Sequence, residues 1–243
     1  MLKSIILIPV TDPLFRYAAL QLPSIYDAFV WSFAIFLFTT PFFLQRIGRA
    51  EEAVREIKRA RELDPLSLHE ADSVGWALLY TRRYDEAVDQ FHKVLEMDPI
   101  YRRSMWGLAR VYEVRGMYKE AIAECLKIPA LPKIDPLAKA LFRKRCSLYQ
   151  KVYLTSGRKH INRKWFESSR QEIRDYVKAS DDLYFITALY AASGEDDKAL
   201  DLLEQLYARR DNDLVQLKVD PRMDNLRSNP RFEALLRRMN FPE

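Results

Sequence analysis

A six-residue phrase returns along this chain at a fixed interval, and that constrains the fold more than any other feature. Gly48-Arg-Ala-Glu-Glu-Ala53, Arg82-Arg-Tyr-Asp-Glu-Ala87 and Gly116-Met-Tyr-Lys-Glu-Ala121 begin 34 residues apart, and Gly194-Glu-Asp-Asp-Lys-Ala199 repeats the internal spacing. Seventeen residues after the first two phrases begin come Pro65 and Pro99. After the second phrase Ala87, Val88, Phe91, Val94 and Leu95 form an i, i+3, i+4, i+7, i+8 stripe, and Ala121, Ile122, Cys125 and Ile128 renew it after the third. Such a stripe is one face of a helix. Seven residues before two of the turns sit Gly75 and Ala109, small enough to let paired helices approach closely. A lone helix pair cannot bury this face, whereas stacked pairs can.

Composition agrees. The chain has 243 residues but only 6 glycines, where average usage would supply about 17. Leu, Ala, Glu, Lys and Arg, all helix formers, take their place. Glycine-hungry dinucleotide folds and β-sandwiches are therefore disfavoured. Gly48, Gly116, Gly157 and Gly194 fall at the expected turns between helices, where a permissive backbone is useful.

The phrase, its spacing and the prolines resemble the tetratricopeptide repeat, in which helix A, a tight turn, helix B and a proline-ended loop make one unit. The resemblance implies an all-α, right-handed superhelix of antiparallel helix pairs. It covers 46–134 and returns in the last repeat, which opens the segment 181–243. Between them, 135–180 departs from the pattern: Pro129, Pro132 and Pro136 break the phase, and Asn162 stands at the packing alanine. This segment is expected to be a basic degenerate repeat or spacer. After Asp220-Pro221, Ser228-Asn229-Pro230 predicts a helix start, with Phe232, Leu235, Leu236 and Met239 as the apolar face of a C-terminal capping helix. The tail from Leu217 to Phe232 also resembles the end of such repeat regions in bacterial regulatory proteins.

The first 27 residues, with Pro9, Pro13 and Pro23, give an irregular lead. Ala28 to Gln45 then runs for 18 residues without a charge. That meets the lower limit for a membrane-spanning helix of about 17 residues, and Arg46, Arg49, Arg55, Lys58 and Arg59 follow like a cytoplasmic flank. The alternatives are helix A of a first repeat, which Pro41 opposes at about 3 kcal/mol in a helix interior, and a start foreign to the folded unit. The chain is accordingly expected in the cytoplasm, or anchored in a membrane with the repeats on the cytoplasmic side.

Catalytic equipment is thin. No phosphate loop, dinucleotide fingerprint or nucleophile elbow occurs. His69-Glu70 opens like a zinc-protease motif, but Ser73 stands where the second histidine is needed. Asp211 and Asp213 mimic a calcium loop whose later ligands are missing. Two cysteines cannot build a disulfide scaffold, and Cys125 and Cys146 read as small buried hydrophobes. No cofactor, metal or enzymatic activity is expected.

A surface remains. The resemblance implies that a protein or peptide partner lies in the concave groove lined by the A helices. Counting from the turns, the groove residues are His69, Asp72, Trp76 and Tyr80, then Arg103, Trp106, Arg110 and Glu113. Lys144, Ser147 and Lys151 follow if the spacer keeps phase, and Tyr184 comes from the last repeat. Relatives that grip chaperone carboxylates use asparagines where Ser73 and Gly107 stand here, so that ligand class is disfavoured. The alternative is a nucleic-acid or anionic-surface binder. From Asp135 to Lys178 twelve basic residues face four acids, giving that block +8 within a chain of net +5.

Overall fold

The computed structural model describes residues 52–57, 66–132, 134–154, 170–180 and 182–241. All their regular structure is helical. After a helical stretch over 52–57 come α1 (Leu68–Tyr80), α2 (Tyr84–Met97), α3 (Arg102–Val114), α4 (Tyr118–Lys127) and α5 (Pro136–Leu154). Then follow α6 (Arg170–Ser180), α7 (Leu183–Ala192), α8 (Asp196–Arg209) and α9 (Pro230–Met239). The apolar stretch 28–45, and the turns expected at Gly48 and Gly157, lie outside the described residues. No helix among those described is long and apolar enough to cross a membrane.

Local chemistry sets the boundaries. Ser67 Oγ accepts from the Glu70 N–H at 3.4 Å to open α1. Asp182 caps α7 by accepting from Phe185 N–H at 3.1 Å, and Asn229 caps α9 by accepting from Arg231 N–H at 2.9 Å. A side-chain acceptor at these places satisfies a donor that the first helical turn leaves open. Three inter-helix turns use left-handed backbone: Gly116 and Gly194 at φ 73°, and Arg82 at φ 62°. Arg82 lacks glycine's freedom. Its guanidinium instead holds the turn by donating to Tyr80 O at 2.9 Å and Val219 O at 3.3 Å.

The helices pack as successive pairs around one aromatic ring in particular. Phe91 of α2 is fully buried between α1 and α3, and both neighbours offer it a glycine. A Cβ on Gly75 would lie 2.5 Å from the Phe91 ring, and one on Gly107 would lie 2.3 Å from it. The indole of Trp76 meets the same ring edge-on at 5.8 Å between centroids. Ala87 and Ala121, at the tightest B-helix positions, are fully buried. In the basic middle segment, Leu148 and Tyr149 of α5 pack with Ile173 and Tyr176 of α6 in one cluster with Phe185 and Leu189 of α7. Phe232 and Leu235 of α9 close the last pair by joining Leu200 and Leu203 of α8.

One expectation needs correction. Cys125 and Cys146 are buried as the stripe predicts, but they are joined as a disulfide linking α4 to α5. The two lie 21 residues apart on different helices, and only the docking of α5 on α4 makes them neighbours.

Two stability tests follow. Gly107→Ala gains about 1 kcal/mol of helix propensity, yet Phe91 is held by a glycine on each side and cannot swing away. Overpacking of about 1–3 kcal/mol is therefore expected to win. The melting temperature should fall, and Phe91→Leu in the same chain should restore part of the loss. Reductant should lower the unfolding free energy by about 3 kcal/mol, as expected for closing a loop of this length. A Cys125→Ala/Cys146→Ala variant should be indifferent to reductant in the same denaturant titration.

Candidate functional site

The A helices turn a common face toward the inside of the stack. On α1 this face carries Trp76 and Tyr80, and on α3 Arg103, Trp106 and Arg110, spaced by three and four residues so that they stand in one row. Tyr184 and Phe185 of α7 and Arg145 of α5 complete a wall around a cavity of about 280 Å³.

The floor comes from the chain's own tail. Between α8 and α9 the backbone winds through two short 3-10 segments, Asn212–Gln216 and Pro221–Leu226, and crosses the concave face instead of merely leading to the cap. It is bonded at both ends of the stack. Tyr80 donates its hydroxyl to Gln216 Oε1 at 2.8 Å, Arg82 pairs with Asp224 at 2.7 Å, and Val219 joins the core of α1 and α2. At the other end Tyr184 donates to Asp220 Oδ2 at 3.0 Å, and Asn225 Nδ2 donates to Ala191 O at 2.8 Å.

At the centre Asp220 and Arg222 form a buried ion pair at 2.6 Å. Burial pushes the Asp220 carboxyl up, but the charge and hydrogen bonds of Arg222 outweigh it and hold it below the ordinary carboxylate range. Burial disfavours charge on Arg222 as well, and Asp220 and Glu113 overcome that to keep it firmly protonated. The Tyr184 hydroxyl is pushed well above the usual tyrosine value by burial and then by Asp220, so it stays neutral and can donate.

The other three arginines are arranged similarly. Arg145 is sandwiched with its Cζ 4.2 Å from the Trp106 ring centroid and 4.3 Å from that of Phe185, and it pairs with Asp182. Arg110 binds Glu113 at 2.7 Å, and Arg103 binds Asp72 at 2.9 Å. Asp72 is fully buried and also accepts from the Ser104 hydroxyl at 2.6 Å. Burial raises its pKa to about 6, against the opposing pull of Arg103, Ser104 and Trp76.

Among the residues named from the sequence, Trp76, Tyr80, Arg103, Trp106, Arg110 and Tyr184 line the cavity. Asp72 and Glu113 stand behind it, as the buried partners of Arg103 and Arg110. His69 is only partly covered at the start of α1, and Lys151 pairs with Glu172 at 2.8 Å; neither lines the cavity, and nor do Lys144 and Ser147. Arg145, next to Lys144 in the chain, lines the cavity in its stead; adjacent residues lie about 100° apart around a helix. Sequence reasoning also missed Asp182, Phe185, Asp213, Gln216, Asp220 and Arg222. Asp182 carried a usable signal as a helix cap; the tail residues follow no repeat register. No cluster of three or more metal-ligating side chains occurs among the described residues.

Residues 75–136 match the family described as Tetratricopeptide repeat. That segment carries the tetratricopeptide-repeat pattern. This repeat is a protein- and peptide-interaction module, and the family is typically non-catalytic. Among curated proteins, human Superkiller complex protein 3 is 30% identical over 79 residues, 32% of this chain and 5% of that protein. Tetratricopeptide repeat protein 37 of Xenopus laevis is 29% identical over 86 residues, covering 35% and 6% respectively. The chain therefore matches only a small fraction of these relatives' length. Among solved structures, YrrB, a TPR protein with an unusual peptide-binding site, aligns over 74% of this chain and 97% of its own at 16% identity and a TM-score of 0.36.

The Asp72 shift has a readable consequence. Its folded pKa of about 6 lies above the value of 3.8 for a free side chain, so its ionisation opposes folding. The associated stability is fully present below the unfolded pKa and is lost as pH rises through about 6. His69, whose pKa is lowered by burial and then by Arg103, works in the opposite sense in a neighbouring window. The comparison with Asp72→Asn cancels that contribution. Chemical denaturation from pH 5 to 7 should show wild type losing stability relative to Asp72→Asn as pH rises.

Proposed function

We propose that the chain is a non-enzymatic scaffold or adaptor that holds a protein or peptide partner against the concave face of its repeats, at the cavity between Trp76, Trp106 and Arg145. The observation that carries this reading is the convergence of aromatic and arginine side chains from α1, α3, α5 and α7 on one cavity. Tryptophan, tyrosine and arginine in partly desolvated pockets are the residues that anchor interfaces. A nucleic-acid interface on the 135–178 block is less well supported. Two of that block's cations, Arg145 and Lys151, are already engaged by Asp182 and Glu172, and Lys159 and Lys164 lie outside the described residues.

Capture of partners by the tagged full-length chain, read by mass spectrometry, tests the proposal. Trp106→Ala should weaken capture by about 30-fold or more, the scale of a hot spot of ≥ 2 kcal/mol, while leaving helicity unchanged. Arg110→Ala is the poorer probe, because it also removes an ion-pair partner of the buried Glu113 carboxylate. Binding to RNA or DNA that falls steeply with salt and ignores Trp106→Ala would replace this reading with the basic-block one.

A further inference from the structure

Only two of the 243 residues are cysteines, and both serve one bond. Cys125 of α4 and Cys146 of α5 are joined, and no free cysteine is left. The repeat does not require this. Cys125 stands in the apolar stripe of α4, where any small hydrophobe would pack, and Cys146 comes from the segment that leaves the repeat pattern. Two cysteines that only filled space would have no reason to face each other across two helices. Here their Cα atoms lie 5.9 Å apart, in the range a disulfide spans.

The bond is sealed. Its two residues are 1% and 0% exposed, and Ala121 and Ile122 of α4 pack with Leu148 and Tyr149 of α5 in the adjoining core. Thiol–disulfide exchange needs a thiolate to reach one of the sulfurs, and the folded protein offers it no approach. The bond therefore has to form while the helices are docking. In that step the two thiols give up two protons and two electrons to an exchanging disulfide, which leaves as two thiols. Oxidants of this class are maintained in secretory and periplasmic compartments and at cell surfaces, whereas the cytosol keeps thiols reduced.

What the bond holds bears on the cavity. α5 follows Pro129, Pro132 and Pro136 and packs on α4, on the short 3-10 turn Ile128–Ala130 and on α6. Cys146 ties it covalently to α4, and the next residue back, Arg145, lies against the Trp106 and Phe185 rings in the cavity wall. A segment without the repeat's packing register is thus fixed one residue away from the side chain that faces the groove.

We infer that these repeats fold and work in an oxidising compartment outside the cytosol, with Cys125–Cys146 as a permanent structural bond. A partner of the groove is then to be sought in that compartment, although the inference stands whether or not the cavity is the partner site. The expectation of a cytoplasmic location drew on the basic residues after 28–45, and that charge bias carries weight only if the stretch spans a membrane.

The thiol state of the native full-length protein in its own cells is the direct test. Cells are quenched in trichloroacetic acid, the protein is denatured, and maleimide–polyethylene glycol is added with and without prior reduction. No addition before reduction and two additions after it are expected, read as a gel shift. Two additions without reduction overturn the inference. Subcellular fractionation supplies the second readout: the disulfide-bonded chain should be absent from the cytosolic fraction, and its recovery there overturns the inference even with the bond intact. For the purified full chain, reduction by dithiothreitol should be at least about 100-fold slower in buffer than in 6 M guanidinium, because the folded protein shields both sulfurs. Equal rates would show an accessible redox switch in place of a permanent bond, and would overturn the inference as stated.

Discussion

Asp220 caps the short 3-10 segment in which Arg222 lies, and both side chains are almost wholly buried at the floor of the cavity. Neither charge could be buried alone, because desolvation costs several kcal/mol per ion and only close pairing with further hydrogen bonds offsets it. The pair meets that requirement: Arg222 donates two side-chain groups and its backbone N–H to Asp220, and Tyr184 donates a further hydrogen bond. Breaking one partner would strand the other at a cost of about 3–5 kcal/mol. The pair thereby locks the tail onto the concave face, and the cavity keeps its floor.

This lock changes how the repeat array behaves as a solid. In an ordinary solenoid each unit touches only its neighbours, and stability is close to a sum of units and nearest interfaces. Here the tail joins α1, through Tyr80 and Arg82, to α7, through Tyr184 and Ala191. First and last described pairs become coupled through a segment that is neither. The groove is reduced from an open channel to a small cavity, and the breadth of surface that a partner can reach is set by this chain as much as by the repeats.

The same arrangement gives the arginines an unusual environment. Each is neutralised by an internal carboxylate, and Arg145 and Arg110 are also laid beside the Trp106 ring. Such groups act through direction more than through field, since a planar guanidinium offers donors in a fixed fork. Asp72, at a pKa of about 6, is the exception that titrates near neutrality. It holds Arg103, and its ionisation state bears on one wall of the cavity.

The helix pairs, their turns and most of the groove face were legible in the sequence, because helical order is periodic and periodicity survives in a linear text. Trp76, Tyr80, Trp106 and Arg110 could be placed by counting from Arg82 and Gly116, each turn fixing the phase of the helix beside it. Gly107 was read only as a missing asparagine; its work, leaving room for the Phe91 ring, needed α2 and α3 in contact. Arg145 instead of Lys144 depended on how α5 docks against the neighbouring helices. The disulfide between Cys125 and Cys146 and the meeting of Asp220, Arg222 and Tyr184 depended on docking between segments far apart in the chain. Local backbone preference and the apolar stripe are encoded within a few residues and by themselves determined the repeat architecture. Which polar groups meet across the concave face is a matter of long-range packing and desolvation, and only the tertiary structure decided it.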